Sequence, residues 1–173
     1  EEIYANFLGL KKVTISGTSG NDDIQFTAGA TSHTVVVNGK QTVYTADQVD
    51  LFVFDALAGN DKVTLNGKAG ADEARIMPGY ASLGGADYMV EVFGAEDVKI
   101  DGKGGNDNGM LYDSAGDDQL AATGSKATLS ATDYLAELIA FERVQAISAA
   151  GGDDTATQQT IDYVLELIGD WND

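Results

Sequence analysis

VTLNGKAGAD at Val63–Asp72 and VKIDGKGGND at Val98–Asp107 are two copies of one ten-residue phrase. Each opens on alternating apolar and polar residues, the period-two pattern of a strand with one buried face. Each then runs into glycine, which supplies the positive φ of a tight corner, and closes on an aspartate able to bond the backbone of that corner. Looser copies stand at Val13–Asp22 (VTISGTSGND), Phe52–Asp61 (FVFDALAGND), Gly109–Asp118 (GMLYDSAGDD) and Val144–Asp153 (VQAISAAGGD). A chain that repeats one strand-and-corner unit builds its core by stacking neighbours.

The copies keep a period. Phe52, Val98 and Val144 lie 46 residues apart, as do Val63 and Gly109. Ala86–Val92 (ADYMVEV) matches Thr132–Leu138 (TDYLAEL) at the same offset, and a third version, IDYVLEL at Ile161–Leu167, comes early. The first spacing, Val13 to Phe52, is 39. These offsets predict one repeat domain over residues 1–173: an irregular repeat (1–59), two full repeats (60–105 and 106–152) and a shortened one (153–173). The fold expected is all-β, a parallel β-helix or β-solenoid of 46-residue repeats with two coils each. Seven such coils at about 4.8 Å per rung would span about 34 Å. Corresponding positions of successive repeats, such as Leu65 and Leu111, are expected to lie above one another. A β-sandwich is the alternative. Residues 1–10 (EEIYANFLGL) read equally as a short helix or a strand.

The net charge of −18, from 28 acidic against 10 basic residues, disfavours nucleic acid and anionic membrane surfaces as partners. No segment has the length and hydrophobicity of a membrane span. There is no cysteine, so neither disulfides nor thiol chemistry is available. The acidic excess fits either a solvated surface or a chain that takes up divalent cations. The candidate ligands are the corner acids Asp22, Asp23, Asp61, Asp72, Asp107, Asp117, Asp118, Asp153 and Asp154, since calcium takes carboxylate and carbonyl oxygens in flexible geometry. The same aspartates could instead serve the corners alone, without metal.

GGND at Gly104–Asp107, followed by LYDSAGDDQL at Leu111–Leu120, resembles the hemolysin-type (RTX) calcium-binding repeats. That resemblance implies a parallel β-roll with calcium in its turns. Asp107 and Asp118 are 11 residues apart, whereas those repeats are tandem nine-residue units. The 46-residue style is also similar to repeat modules of large secreted bacterial surface proteins, which implies an extracellular or cell-surface location.

Asp87 and Glu91, Asp133 and Glu137, and Asp162 and Glu166 recur opposite the tyrosines of the three DY segments. A catalytic carboxylate pair occurs once in a chain, so this triple recurrence reads as an outer face. Met89, Leu135 and Val164 sit between those acids. With Tyr163, Leu165 and Trp171 they are the candidate interface, covered either by the same chain or by a partner. Gly9–Gly17 matches Gly94–Gly102, and Tyr4–Leu8 weakly echoes the DY segment, so the sequence begins and ends at one phase of the repeat. No capping sequence is expected beyond Gly169. The partners expected are copies of the chain itself or adjacent repeats of one polypeptide. His33, the single histidine, reads as exposed in a polar loop, and no motif of nucleophilic, phosphate-binding or zinc chemistry is present. The function expected is non-catalytic: a self-associating structural module of a filament, surface layer or adhesin stalk. A calcium-dependent adhesion module is the alternative, and a polysaccharide-active β-helix enzyme a remote one.

Overall fold

The structure, a computed structural model that describes residues 11–172, is a β-solenoid of about four turns with parallel stacked coils. The short helix or strand expected over residues 1–10, with the echo at Tyr4–Leu8, lies outside the described residues. Seventeen strands are described. The first six are β1 (Lys12–Ser16), β2 (Asp23–Thr27), β3 (Ser32–Val37), β4 (Lys40–Thr45), β5 (Leu51–Asp55) and β6 (Lys62–Asn66). Then come β7 (Glu73–Met77), β8 (Tyr80–Gly85), β9 (Tyr88–Phe93), β10 (Asp97–Asp101) and β11 (Asn108–Tyr112). The last are β12 (Gln119–Gly124), β13 (Lys126–Ala131), β14 (Tyr134–Ile139), β15 (Arg143–Ser148), β16 (Thr155–Ile161) and β17 (Val164–Gly169).

They form two sheets. One has eight strands in the order β1-β5-β9-β8-β7-β11-β15-β17, the other nine in the order β4-β3-β2-β6-β10-β14-β13-β12-β16. Pairs between coils are parallel, as in β6 with β10 and β11 with β15. Three meanders, β2-β3-β4, β7-β8-β9 and β12-β13-β14, are antiparallel inside. At each meander the chain crosses to the other sheet, overshoots by two rungs, and fills the skipped rungs on its way back.

This route corrects the expected stacking. A shift of 46 residues carries β5 to β10, β6 to β11 and β7-β8-β9 to β12-β13-β14, and each move changes sheet. Leu65 pairs with Phe26 and Ile100 in the nine-stranded sheet, whereas Leu111 pairs with Ile76 and Ala146 in the eight-stranded one. The reason is parity. Each repeat crosses between sheets three times, so successive repeats start on opposite sides. The repeats are related by a half-turn along the axis, and residues that stack in parallel are 35 to 39 apart, as in Leu65–Ile100 and Phe26–Leu65, except at the last coil, where Val144 pairs with Leu165 at 21.

One hydrophobic core runs between the sheets. Phe26, Phe52, Phe54, Leu65, Ile76, Ile100, Leu111, Leu129 and Leu138 are among its large, fully buried members. Each contributes about 1.5–3 kcal/mol relative to exposure. The tyrosines of the DY segments, Tyr88, Tyr134 and Tyr163, point inward as the alternation predicts. Gly109 replaces the valine of the repeat because a Cβ there would strike the Leu138 side chain. His33 is a correction: it is fully buried on β3, its ring 5.6–5.7 Å from those of Phe26, Phe52 and Tyr88. Strand alternation from Ser32 to Val37 points it inward, a signal that its polar sequence neighbours hid.

Candidate functional site

The corner aspartates form columns along the solenoid edges. Asp22 N–H donates to Asp61 Oδ1 at 2.8 Å, and Asp61 N–H donates to Glu96 Oε2 at 2.8 Å. A second column repeats this: Asp72 N–H to Asp107 Oδ1 at 2.8 Å and Asp107 N–H to Glu142 Oε2 at 2.7 Å. In a third, Asp118 N–H donates to Asp154 Oδ1 at 2.9 Å. Each carboxylate thus accepts the amide of the acid one coil earlier. Glu96 and Glu142, 46 residues apart, close the first two columns.

The second carboxylate oxygen works within its own corner. Asp22 Oδ2 accepts from Thr18 N–H at 2.7 Å, Asp72 Oδ2 from Lys68 N–H at 3.3 Å and Asp118 Oδ2 from Ser114 N–H at 3.0 Å. Glycine five positions before the acid leaves room: a Cβ on Gly17, Gly67 or Gly102 would approach the Oδ2 of Asp22, Asp72 or Asp107 to 2.7, 2.5 and 2.5 Å. At Asp61 and Asp107 the residue four positions earlier, Leu57 or Lys103, has φ of 72° or 70°. At these two acids Oδ2 is buried without a protein partner, as is Asp118 Oδ1.

Of the nine candidate metal ligands, Asp22, Asp61, Asp72, Asp107, Asp118 and Asp154 are the buried column members. Asp23, Asp117 and Asp153 are exposed. Asp117 Oδ1 caps Asp153 N–H at 2.9 Å, and Asp23 Oδ1 accepts from Gln25 Nε2 at 3.2 Å. Calcium takes six to eight oxygens, and among the described residues no three such acids converge as one group. The columns as arranged present their oxygens to backbone amides, coil by coil.

Burial pushes Asp107 up to about 6, and raises Asp72 and Asp118 for the same reason. Burial lowers His33 below its ordinary value. The two act in opposite directions. A buried acid with a raised value holds its proton more tightly when folded, so its effect on stability improves as pH falls through about 6 towards the unfolded value near 4. A buried histidine with a lowered value lets the unfolded chain take the proton first, so stability falls as pH drops below about 6.5. The Tm difference between about pH 5 and about pH 7.5 is therefore expected to shift toward acid destabilisation in Asp107→Asn. In His33→Leu it should shift toward acid stabilisation. Calorimetry checks this, and shifts of the same sign in both variants would contradict the assignment.

The candidate interface is not one stripe. Met89 on β9 and Val164 on β17 lie on the eight-stranded sheet, whereas Leu135 on β14 lies on the nine-stranded sheet. The half-turn between repeats separates them. Met89 also lies over its own chain, its Sδ 3.0 Å from where a Cβ on Gly84 would sit. Tyr163 is buried and its hydroxyl donates to the Lys126 carbonyl at 3.0 Å, so it too leaves the interface. Three of the six acids on these faces have basic partners: Asp87 with Lys68, Glu137 with Lys126 and Glu166 with Arg143.

Exposed edges remain at the end rungs. Among the described residues β1 and β4 are the outermost strands at one end, β17 and β16 at the other. Val164, Leu167 and Ile168 on β17 are 58%, 40% and 37% exposed, and Val43 on β4 is 53% exposed. Leu165 packs half-buried against the core. The expectation of no cap is corrected by Trp171, which packs on the core and donates its Nε1–H to the Ala146 carbonyl at 3.1 Å. Asn172 then takes the first place of a further rung on β16, accepting from Ala156 N–H at 2.8 Å and donating its own N–H to the Asp154 carbonyl at 2.8 Å.

The end rungs differ in charge. Lys11, Lys12 and Lys40 stand at the starts of β1 and β4. From Asp153 to Asn172 there is no lysine or arginine, while Asp153, Asp154, Asp162, Glu166 and Asp170 are acidic. No protein-family model, curated protein or solved structure matches the chain.

Proposed function

We propose that this chain is a non-catalytic structural module that self-associates head to tail, with copies of itself as partner. The observation that carries the reading is the complementarity of the two end rungs. Among the described residues each end presents an edge strand from both sheets, whose outward N–H and C=O groups are a template for another strand. Strands of successive coils pair parallel, as β1 with β5 and β15 with β17, and β4 runs in the sense of β2, so a second copy can be added in the same sense. Strand starts then meet strand starts, placing the lysines of one end beside the acids of the other. Lysine on an edge strand normally deters pairing, and an acidic edge opposite removes that deterrent. The reading places the module in the extracellular space or on a cell surface, as part of a filament, surface layer or adhesin stalk, which suits a net charge of −18.

Sedimentation velocity across concentration tests it. The expected result is a sedimentation coefficient that rises with concentration, is reduced by salt as end charges are screened, and is reduced further in Lys40→Glu. A single monomeric species at every concentration would contradict the reading. A second reading, calcium binding, is favoured by the three unpartnered oxygens of Asp61, Asp107 and Asp118. A melting temperature that rises with millimolar calcium and falls with chelator would support it, and an unchanged midpoint would remove it.

A further inference from the structure

The two outer faces of the solenoid occupy equivalent backbone positions, because a shift of 46 residues carries a strand from one sheet to the other. A difference between equivalent positions is therefore not required by the fold. On the eight-stranded sheet Met77, Tyr112 and Ile147 follow one another on β7, β11 and β15, facing outward and half-buried. Their counterparts on the nine-stranded sheet, 46 residues away, are Thr123, Asn66 and Asp101. In the neighbouring outward row Arg75, Met110 and Gln145 stand side by side, where the other sheet has Ala121, Thr64 and Lys99. At these positions one face carries an apolar row beside a polar one, and the other has no large apolar side chain. We propose that this part of the eight-stranded face binds a neutral oligosaccharide laid across the strands.

The face is hollowed there. A hollow of about 550 Å³ lies over Ser82, Gly84 and Gly85 of β8, bounded by Glu73, Arg75 and Asn108. Small residues on β8 open it. A second hollow, of about 210 Å³, lies between Arg75 and Arg143, against Asn108, Met110 and Gln145. Glu73, Arg75 and Asn108 line both, so the two form one trough across β8, β7, β11 and β15. Three strand spacings make it about 14 Å long, room for more than one sugar ring. Arg75 and Arg143 are the only arginines of the chain. Among the described residues Arg75 makes no ion pair. Glu166 holds Arg143 and Gln145, at 2.7 and 2.9 Å, and so fixes both at the edge of the trough.

The chemistry selects the ligand. Sugar hydroxyls both donate and accept hydrogen bonds, and the C–H faces of a pyranose ring are apolar. Arg75, Asn108 and Gln145 bring N–H donors, and Glu73 with the two amide carbonyls brings acceptors. Tyr112 and Met77 supply an apolar platform beside them. A net charge of −18 repels acidic polymers. Within the trough Glu73 offsets Arg75, two positions along β7, and Glu166 offsets Arg143, so a neutral ligand meets no charge imbalance. An added peptide strand has no place here, because β8, β7, β11 and β15 are each hydrogen-bonded on both sides. For the same reason the site does not depend on how copies meet.

Arg75→Ala and Tyr112→Asn each install the residue that the equivalent position of the other face already carries, Ala121 or Asn66. Both are therefore expected to melt close to the parent protein. Native electrophoresis through gels containing hydroxyethylcellulose, galactomannan, xylan or galactan, and polygalacturonate as the acidic polymer, reads binding as retardation. The parent is expected to be retarded by at least one neutral polymer and not by polygalacturonate. Each variant is expected to bind that neutral polymer at least about tenfold more weakly. Thr64→Ala, on the opposite face, is expected to bind as the parent does. Passage of the parent unretarded through every neutral polymer would overturn the site, as would equal retardation of parent and both variants. Retardation by polygalacturonate alone would overturn the neutral ligand. A fall in sedimentation coefficient in both variants, with no retardation of the parent, would make this face a contact between copies instead.

Discussion

Gly105→Ala is expected to destabilise the fold by about 4 kcal/mol, while Gly104→Ala costs only about 1–3 kcal/mol. The two glycines are adjacent and have nearly equal backbone angles, φ of 156° and 151°. Both therefore carry the strain that a side chain meets at positive φ. They differ in what a Cβ would touch. At Gly104 there is open space, whereas at Gly105 the Cβ would fall on the Gly70 carbonyl oxygen of the preceding coil. Gly70 and Gly105 form a parallel bridge, and Gly70 N–H donates to the Gly104 carbonyl at 3.1 Å. Accommodating the methyl group means spreading two rungs at their corner. Denaturant unfolding of the pair measures the difference, and equal losses would show that the coils are not in contact there.

Asp72→Ala is expected to cost about 3–5 kcal/mol. Asp72 is 2% exposed. Its Oδ1 accepts from the Tyr88 hydroxyl at 2.9 Å and its Oδ2 from Lys68 N–H at 3.3 Å. Tyr88 is itself buried in the core beside His33 and Phe26. Alanine would leave a buried phenol and a corner amide without their acceptor, and unmade buried hydrogen bonds cost more than made ones contribute. Asp72→Asn keeps a carbonyl oxygen for one of the two donors and is expected to lose less than half as much. If both variants melt alike, the carboxylate's bonds to Tyr88 and Lys68 are not what holds the corner.

The strands and corners were legible because their signals are local. Alternation in Val63–Leu65 and Val98–Ile100 marks inward faces, and the glycines running into each aspartate mark the corners; that Gly67 and Gly102 leave room for the carboxylates of Asp72 and Asp107 emerges only from the packing. The stacking partner was not legible from the strongest signal. Similarity is greatest at 46 residues, where the half-turn places residues on opposite sheets. True neighbours such as Val13 and Phe52, at 39, share less sequence, and the match at 35 between Val63–Asp72 and Val98–Asp107 stops at the aspartate, whereas the match at 46 runs on through the meander. Similarity reports equivalent environments, and under a half-turn equivalent environments are not adjacent ones. The same confusion gathered Met89, Leu135 and Val164 into a stripe that the fold divides. The columns were half visible: the aspartates stood out, but their acceptance of amides from the preceding coil depends on the stacking offset. Glu96 and Glu142 matched across repeats without being recognised as column ends.

The alternation of repeats between sheets underlies both the columns and the contrast between the two outer faces. Spin-label distances test it most directly, with one pair at Thr64 and Lys99 and another at Thr64 and Met110. Thr64 and Lys99 face each other on neighbouring strands β6 and β10, and Met110 lies on β11 in the other sheet. The first pair is expected under about 15 Å and the second above about 20 Å, since strands lie about 4.8 Å apart and sheets about 10 Å apart with these labels facing outward. A short distance for Thr64 and Met110 with a long one for Thr64 and Lys99 would contradict the account.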